Sequence, residues 1–280
     1  MPLVENLIEE GRRILSDMPQ ARREAHILLT ASTHLSEAEL FAHPEKKIST
    51  GQAIRFRHML NQRRKNKPLA YIIGRSEFWS LSFQVNKNVL IPRPETECLV
   101  EKALSVLPEN PGILADIGTG CGNLAVVLAL ERPQAVIYAT DISMKALRTA
   151  KQNARCLGAE HIKFQKGRLF EPLDRLHPKI LFDLIISNPP YVSYSDWHNL
   201  PDEVRNHEPR SALLAGTSGT EILEKLIKGC PLYLKKGGRV LFEIGYGQEK
   251  KIQALFGKEW NNVSIHPDYK GIPRIVSAVL

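Results

Sequence analysis

Ile113-Leu114-Ala115-Asp116-Ile117-Gly118-Thr119-Gly120-Cys121-Gly122-Asn123 runs from an apolar segment into three glycines at alternate positions, and the helical run Leu124 to Leu130 follows. Glycine lacks a Cβ, so this spacing lets the chain turn sharply and lets a ligand lie against bare backbone. A dinucleotide fingerprint carries its third glycine where Asn123 stands, so the loop favours a nucleoside without a pyrophosphate. Asp141 ends the next apolar run, Val136-Ile137-Tyr138-Ala139-Thr140, the place from which a carboxylate accepts hydrogen bonds from both hydroxyls of a ribose. Asp116 could hold an amino group of the same ligand indirectly or through charge. Gly118, Thr119, Gly120, Cys121, Gly122 and Asp141 are therefore the candidate cofactor-binding set. Cys121 reads as a small filler and not as a nucleophile, since no histidine lies nearby in sequence.

Outward from this loop, apolar runs alternate with helical ones. Strands are predicted at 112–117, 135–140, 161–165, 182–187, 238–244, 261–266 and 274–279, with helices between the earlier ones. That order implies an α/β, doubly wound, mostly parallel seven-stranded sheet covered on both faces, with ligands beyond the carboxyl ends of its strands. The fourth of these, Leu181-Phe182-Asp183-Leu184-Ile185-Ile186, leads into Asn188-Pro189-Pro190-Tyr191. Both prolines lack an N–H, and Pro189 keeps Asn188 out of the helical region, so carbonyl groups are left free to face a ligand. An amide, two prolines and an aromatic make a rigid acceptor edge beside a flat wall, which suits a planar amino group. A plain strand-to-loop turn fits the same residues.

Toward the N-terminus the period changes. Apolar residues recur at helical spacing from Leu3 to about Lys67, as in Leu7, Ile8, Ile14, Leu15 and then Ala25, Leu28, Leu29. Pro19 is expected to open the second helix, and Ser36 with Glu39 forms a capping box for a third. Phe78 to Val85 alternates with period two, which places a hairpin after Gly74. The expected organisation is a small helical bundle over 1–67, a hairpin linker over 68–90 and the sheet domain over 91–280.

Composition bounds the function. The 280 residues are 43% hydrophobic, enough for a substantial core, yet no run reaches the ~18 to 20 apolar residues of a membrane span. The first residues lack a basic segment followed by an apolar one. Four widely spaced cysteines form no C-x-x-C pair, and the nine histidines show no H-E-x-x-H spacing, so no disulfide framework and no metal site are expected. A reducing cytoplasm fits. The net charge of +8 suggests an anionic partner. Arg55, Arg57, Arg63, Arg64, Lys65 and Lys67 read either as a solvated helix face or as a docking surface. Arg93 and Glu97 read as a structural ion pair or as cofactor contacts. Glu243 ends a core strand where loop N–H groups could satisfy it. The stretch from Val192 to Ser218 is longer than the ~12 to 15 residues usual for a featureless connection, which favours a substrate-facing role.

The glycine loop, Asp141 and Asn188-Pro189-Pro190-Tyr191 together resemble a class I methyltransferase that binds S-adenosyl-L-methionine and methylates a planar nitrogen. Enzymes acting on DNA adenine and on protein glutamine share these segments. Leu90-Ile91-Pro92-Arg93-Pro94-Glu95-Thr96-Glu97, Pro68 to Gly74, Glu77-Phe78-Trp79, Glu208-Pro209-Arg210 with Ala212-Leu213, Gly219, Glu243-Ile244-Gly245, Gln248, Gly271 and Arg274 extend the likeness. Over essentially the whole chain the sequence resembles the release-factor glutamine methyltransferase family, PrmC or HemK. A sibling family acting on a ribosomal protein differs at Arg93 to Glu97, and a DNA adenine enzyme needs a target-recognition region for which few residues remain.

The resemblance implies methyl transfer to the N5 side-chain nitrogen of the glutamine in the Gly-Gly-Gln motif of class I peptide chain release factors, with S-adenosyl-L-homocysteine as product and no metal. It implies a cytoplasmic role in translation termination, no nucleic-acid or membrane partner, and a monomer. It assigns catalysis to Asn188, Pro189 and Tyr191 and substrate binding to Asn188, Pro189, Pro190 and Tyr191, with Asn188 and Leu169 also touching cofactor. In that scheme Asn188 and the Pro189 carbonyl accept from the amide NH2 while Tyr191 packs on its plane. Three positions depart from the family pattern: Arg168 stands where an acid is common, Leu169 where an aromatic is frequent, and His207 where an aromatic precedes Glu208.

Overall fold

The computed structural model describes residues 1–108 and 112–280. These divide into two compact units, Met1–Gly74 with Asp202–His207, and Arg75–Pro201 with Glu208–Leu280.

The first unit holds helices α1 (Val4–Ile14), α2 (Ala21–Thr33), α3 (Glu37–Ala42), α4 (Thr50–Arg64) and α5 (Leu69–Ile73). Leu7 and Ile8 of α1, Leu28 and Leu29 of α2, and Phe56 and Leu60 of α4 bury their side chains in one core. Gly11 lets α1 approach α2 closely, since a Cβ there would stand 2.7 Å from the Ala25 methyl. The Ser36–Glu39 capping box opens α3 as expected, and a second, Ser49–Gln52, opens α4. The second helix begins at Ala21 with Gln20 as its N-cap, two residues beyond the proline expected to open it. The Arg63 guanidinium is buried, gripping Glu24 through Nε and Nη2 at 2.7 and 3.0 Å and reaching Glu203 with Nη1 at 2.8 Å. That contact helps to tie the short helix Asp202–His207 into this unit. Arg57 is likewise committed to Glu10, so two of the six clustered positive charges have carboxylate partners inside the unit.

The second unit opens with a hairpin, β1 (Arg75–Phe78) and β2 (Leu81–Gln84). Trp79 and Ser80 form its turn with φ of 54° and 56°, so the alternation across Phe78 to Val85 runs through a two-residue turn and not along one strand. Next come α6 (Glu97–Val106), β3 (Ile113–Ile117), α7 (Asn123–Glu131), β4 (Val136–Asp141), α8 (Met144–Cys156), β5 (Lys163–Lys166) and β6 (Phe182–Ser187). Short strands β7 (Val192–Ser193) and β8 (Leu214–Gly216) pair with each other, and β9 (Leu234–Glu243), β10 (Asn261–Pro267) and β11 (Pro273–Val279) complete the set.

The main sheet has the order β10-β11-β9-β6-β3-β4-β5. Its strands are parallel except β11, which runs antiparallel to both β9 and β10. The seven strands are those expected from the sequence, with β9 beginning earlier, at Leu234. Alternate residues serve opposite faces: Leu114, Leu184 and Leu241 pack into one core, and Ala115, Ile185 and Phe242 into the other. Chain order reverses at β3, which has β4 on one side and β6 on the other, so a crevice opens beyond the carboxyl ends of β3 and β6. The span expected to be a long loop, Val192 to Ser218, is instead built of β7, three short helices and β8. No described helix is long and apolar enough to cross a membrane.

Candidate functional site

A cavity of about 370 Å³ occupies that crevice. Its floor is the glycine loop. Gly118 and Gly120 have φ of 79° and 57°, and a Cβ on either would meet no protein atom within 4 Å, so bare backbone faces the cavity there. Gly122 serves packing instead. It lies outside the cavity wall, and a Cβ on it would stand 3.1 Å from the Ala150 methyl of α8.

Asp141, at the carboxyl end of β4, lines the cavity with its carboxylate already oriented. Its Oδ2 accepts from the Gly120 N–H at 2.9 Å and its Oδ1 from the Ser143 N–H at 2.7 Å. Burial raises its pKa, and the two backbone donors oppose that rise. Asp116 sits deeper. Burial pushes its carboxyl up to about 7, against the Thr119 hydroxyl bonded to Oδ2 at 2.6 Å and with the charge of Asp141 adding to the rise. Its Oδ1 is buried without a hydrogen-bond partner. The Cys121 thiol is pushed up to about 12 by burial, which suits a filler and not a thiolate nucleophile. Thr119, Arg168 and Leu169 also line the cavity.

β6 delivers Asn188, Pro189 and Pro190 to the opposite wall. Asn188 Nδ2 donates to Thr96 Oγ1 at 3.0 Å, which leaves the side-chain oxygen as its acceptor. Tyr191, expected to pack on the acceptor amide, is not part of the wall: its hydroxyl donates to Glu243 at 3.3 Å. Burial and the Glu243 carboxylate raise the pKa of that phenol. Glu243 is satisfied by the hydroxyls of Thr96 and Tyr191, and not by the loop N–H groups expected from its place at a strand end. Arg93 and Glu97 do not pair. Arg93 binds Glu208, whose second oxygen accepts from the Ile91 N–H at 3.1 Å, and Glu97 accepts from the Trp79 N–H at 2.7 Å. Glu208 thereby fastens the returning segment, whose Pro209, Ser211 and Ala212 line the cavity, to the Leu90 to Glu97 stretch.

Thr96, Glu208 and Gln248 hold this site together, and sequence reasoning assigned none of them a role. Each sits inside a segment that carries the family likeness, but nothing in local spacing reveals the partners of Thr96 and Glu208, more than ninety and as many as 147 positions away, or that of Gln248, 57 positions away. Among the described residues, no group of three or more His, Cys, Asp or Glu side chains is placed to hold a metal.

A glycine-floored crevice at the switch point of a seven-stranded sheet with one antiparallel strand is the arrangement of a nucleoside-cofactor methyltransferase. A methyltransferase domain family matches residues 112–260, and the PrmC N-terminal domain family matches 6–74. Solved structures with this fold include a methyltransferase from Pyrococcus furiosus (TM-score 0.53, 17% identity, 79% of this chain and 98% of that one). The hMettl16 catalytic domain is another (TM-score 0.54, 16% identity, 81% of this chain and 80% of that one).

Curated relatives are nearer. Proteins named release factor glutamine methyltransferase from Koribacter versatilis and Coxiella burnetii are 37% and 38% identical, over 93% and 92% of this chain and 92% and 91% of theirs. One from Enterococcus faecalis is 41% identical over 75% of each chain. The chain belongs to the release factor glutamine methyltransferase family.

Proposed function

We propose that this chain transfers a methyl group from S-adenosyl-L-methionine to the N5 amide nitrogen of the glutamine in the Gly-Gly-Gln motif of class I peptide chain release factors, in the cytoplasm and without a metal. Its relatives' shared name supports the reaction, and the bonding of Asn188 carries the reading. With one N–H of its amide held by Thr96, Asn188 keeps its oxygen as an acceptor for a substrate NH2.

The cavity fits the cofactor. Its volume suits a nucleoside-sized ligand, its floor at Gly118 and Gly120 carries no Cβ, and the Asp141 carboxylate lines its wall. Asp141 would take the ribose hydroxyls, the Gly118 to Cys121 backbone and Asp116 the amino-acid end, and Leu169 the base. When bound, S-adenosylmethionine supplies a methyl carbon made electrophilic by its sulfonium.

What the protein adds is alignment. A carboxamide nitrogen shares its lone pair with its carbonyl and is a poor nucleophile. The Asn188 oxygen and the Pro189 carbonyl would each accept one N–H of the acceptor, fixing its plane. The proton leaves to solvent once the nitrogen carries the methyl, so no strong base is needed. Alignment of this kind supplies on the order of 7 to 11 kcal/mol in favourable intramolecular systems.

The helical unit is the proposed grip on the release factor, through the exposed Arg55, Arg64 and Lys65. Reversing those charges to Glu is expected to raise KM for the whole release factor and leave a short glutamine peptide unaffected. The reaction itself is checked by incubating enzyme and labelled S-adenosylmethionine with release factor, with its glutamine-replaced variant, and with duplex DNA. Label in the release factor, lost in that variant and after Asn188→Ala, is expected; label in DNA would overturn the assignment.

A further inference from the structure

Behind Asn188 a file of hydrogen bonds leads out of the cavity to a buried acid. Asn188 Nδ2 donates to Thr96 Oγ1 at 3.0 Å, the Thr96 hydroxyl donates to Glu243 Oε2 at 2.7 Å, and the Tyr191 hydroxyl donates to Glu243 Oε1 at 3.3 Å. Thr96 and Glu243 are both 1% exposed, so water does not compete for these bonds. A hydroxyl has a single hydrogen. While Glu243 is ionised it can only accept, so Thr96 must direct its hydrogen there, and only a donor can then approach Thr96 from the other side. The Asn188 NH2 therefore turns inward and its oxygen outward.

We propose that Glu243, acting through Thr96, sets which end of the Asn188 amide faces the acceptor, and that protonation of Glu243 switches the site into an unproductive orientation. This rests on the reading in which Asn188 accepts from the substrate NH2. A proton taken up by Glu243 makes it the donor to Thr96; the Thr96 hydrogen then turns to Asn188, and the amide flips to present NH2 to NH2. No heavy-atom bond changes. Thr96 and Glu243 are positioning residues, since both act through Asn188.

The switch operates near neutrality. Burial pushes the Glu243 carboxyl up to about 7, against the Thr96 bond, the positive charge of Arg274 and the Tyr191 bond, and with the charge of Glu95 adding to the rise. Arg274 is itself shared with Asp268 at 3.5 Å, which weakens its hold on Glu243.

The test uses the full chain with whole release factor, measuring single-turnover transfer at saturating S-adenosylmethionine from about pH 5.5 to 9. The wild type is expected to lose activity on the acid side with a midpoint near 7. Glu243→Gln, which cannot change charge, is expected to lose that limb. Thr96→Val is expected to slow transfer by about 100-fold with cofactor affinity unchanged, and Thr96→Ser to recover most of the loss. In the enzyme without cofactor, the side-chain NH2 resonances of Asn188, identified by their loss in Asn188→Ala, should shift with the same midpoint in the wild type and stay still in Glu243→Gln.

An acid limb that survives Glu243→Gln, wild-type transfer by Thr96→Val, or Asn188 resonances that do not titrate would each overturn the relay. Should a variant fail to fold, the wild-type profile and titration still decide. The two layers separate cleanly: transfer by Asn188→Ala sinks the reading of Asn188 itself, whereas an inactive Asn188→Ala beside fully active Thr96→Val and Glu243→Gln sinks only the relay.

Discussion

The side-chain amide of Gln248 donates to the main-chain carbonyl of Tyr191 at 2.9 Å, while its oxygen accepts from the Gly245 N–H at 2.9 Å. The same Nε2 reaches the Gly219 carbonyl at 3.3 Å, so one side chain ties together the ends of three segments around the proline corner. Gly219 must lack a side chain for this, since its φ is 79° and a Cβ would stand 2.6 Å from the Tyr191 oxygen. Gln248→Ala removes bonds worth about 1 kcal/mol each and loosens the corner that carries Asn188. Thermal unfolding should register a loss of roughly 1 to 3 kcal/mol. Steady-state kinetics should show a larger loss in kcat/KM for the release factor, about ten-fold or more, with the cofactor Kd unchanged.

Asp141 already accepts two backbone N–H groups, which fixes its carboxylate at the cavity before any ligand arrives. Asp141→Ala should weaken S-adenosylmethionine by about 10- to 100-fold, the worth of hydrogen bonds to a charged acceptor, measured by calorimetry. Gly120→Ala should also weaken the cofactor, by placing a methyl group in the cavity. Its left-handed φ of 57° adds strain of about 1 to 2 kcal/mol, seen in unfolding.

Stability and activity should slope in opposite directions with pH. Asp116 and Glu243 titrate at about 7 when folded, against 3.8 and 4.5 for their ordinary values. Between those limits the folded chain holds more protons than the unfolded one, so stability falls as pH rises from about 4 to 7. Each acid contributes about 3 to 4 kcal/mol to that decline. Urea denaturation across this window should show a shallower slope in Asp116→Asn and in Glu243→Gln. An unchanged slope in both would refute the buried, raised carboxyls. Transfer, by contrast, should rise as Glu243 ionises.

Arg63 offers a contrast within the helical unit. Its side chain is 8% exposed, that of Glu24 12% and that of Glu203 44%. Arg63→Ala strands Glu24 in a buried site and should cost about 3 to 5 kcal/mol in chemical denaturation. Glu203→Ala breaks a largely solvated contact and should cost less than about 1 kcal/mol.

Much of the fold is written in local pattern. β3, β4 and β6 show because buried parallel strands are short, apolar runs, and the glycine loop shows because only glycine tolerates its backbone angles. Ser36 with Glu39 announces a helix start because a capping box is complete within four residues. What stayed hidden depends on partners far along the chain. Arg93 and Glu97 look like neighbours, but the intervening residues form a 3-10 turn and Arg93 reaches Glu208 instead. Thr96 sits in plain view between them, its use defined only once Asn188 and Glu243 arrive from 92 and 147 positions away. Tyr191 looks like a wall for a flat ligand because aromatics often are; its hydroxyl finds Glu243.

The membership of Asp202–His207 in the helical unit means that the chain passes between the two units three times, after Gly74, after Pro201 and after His207. A part joined by one linker can be shuffled between genes as a cassette. Here, grafting residues 1–74 onto another sheet domain would carry Arg63 and Glu24 and leave Glu203 behind. Moving the helical unit whole therefore means moving two separate pieces of chain, 1–74 and 202–207.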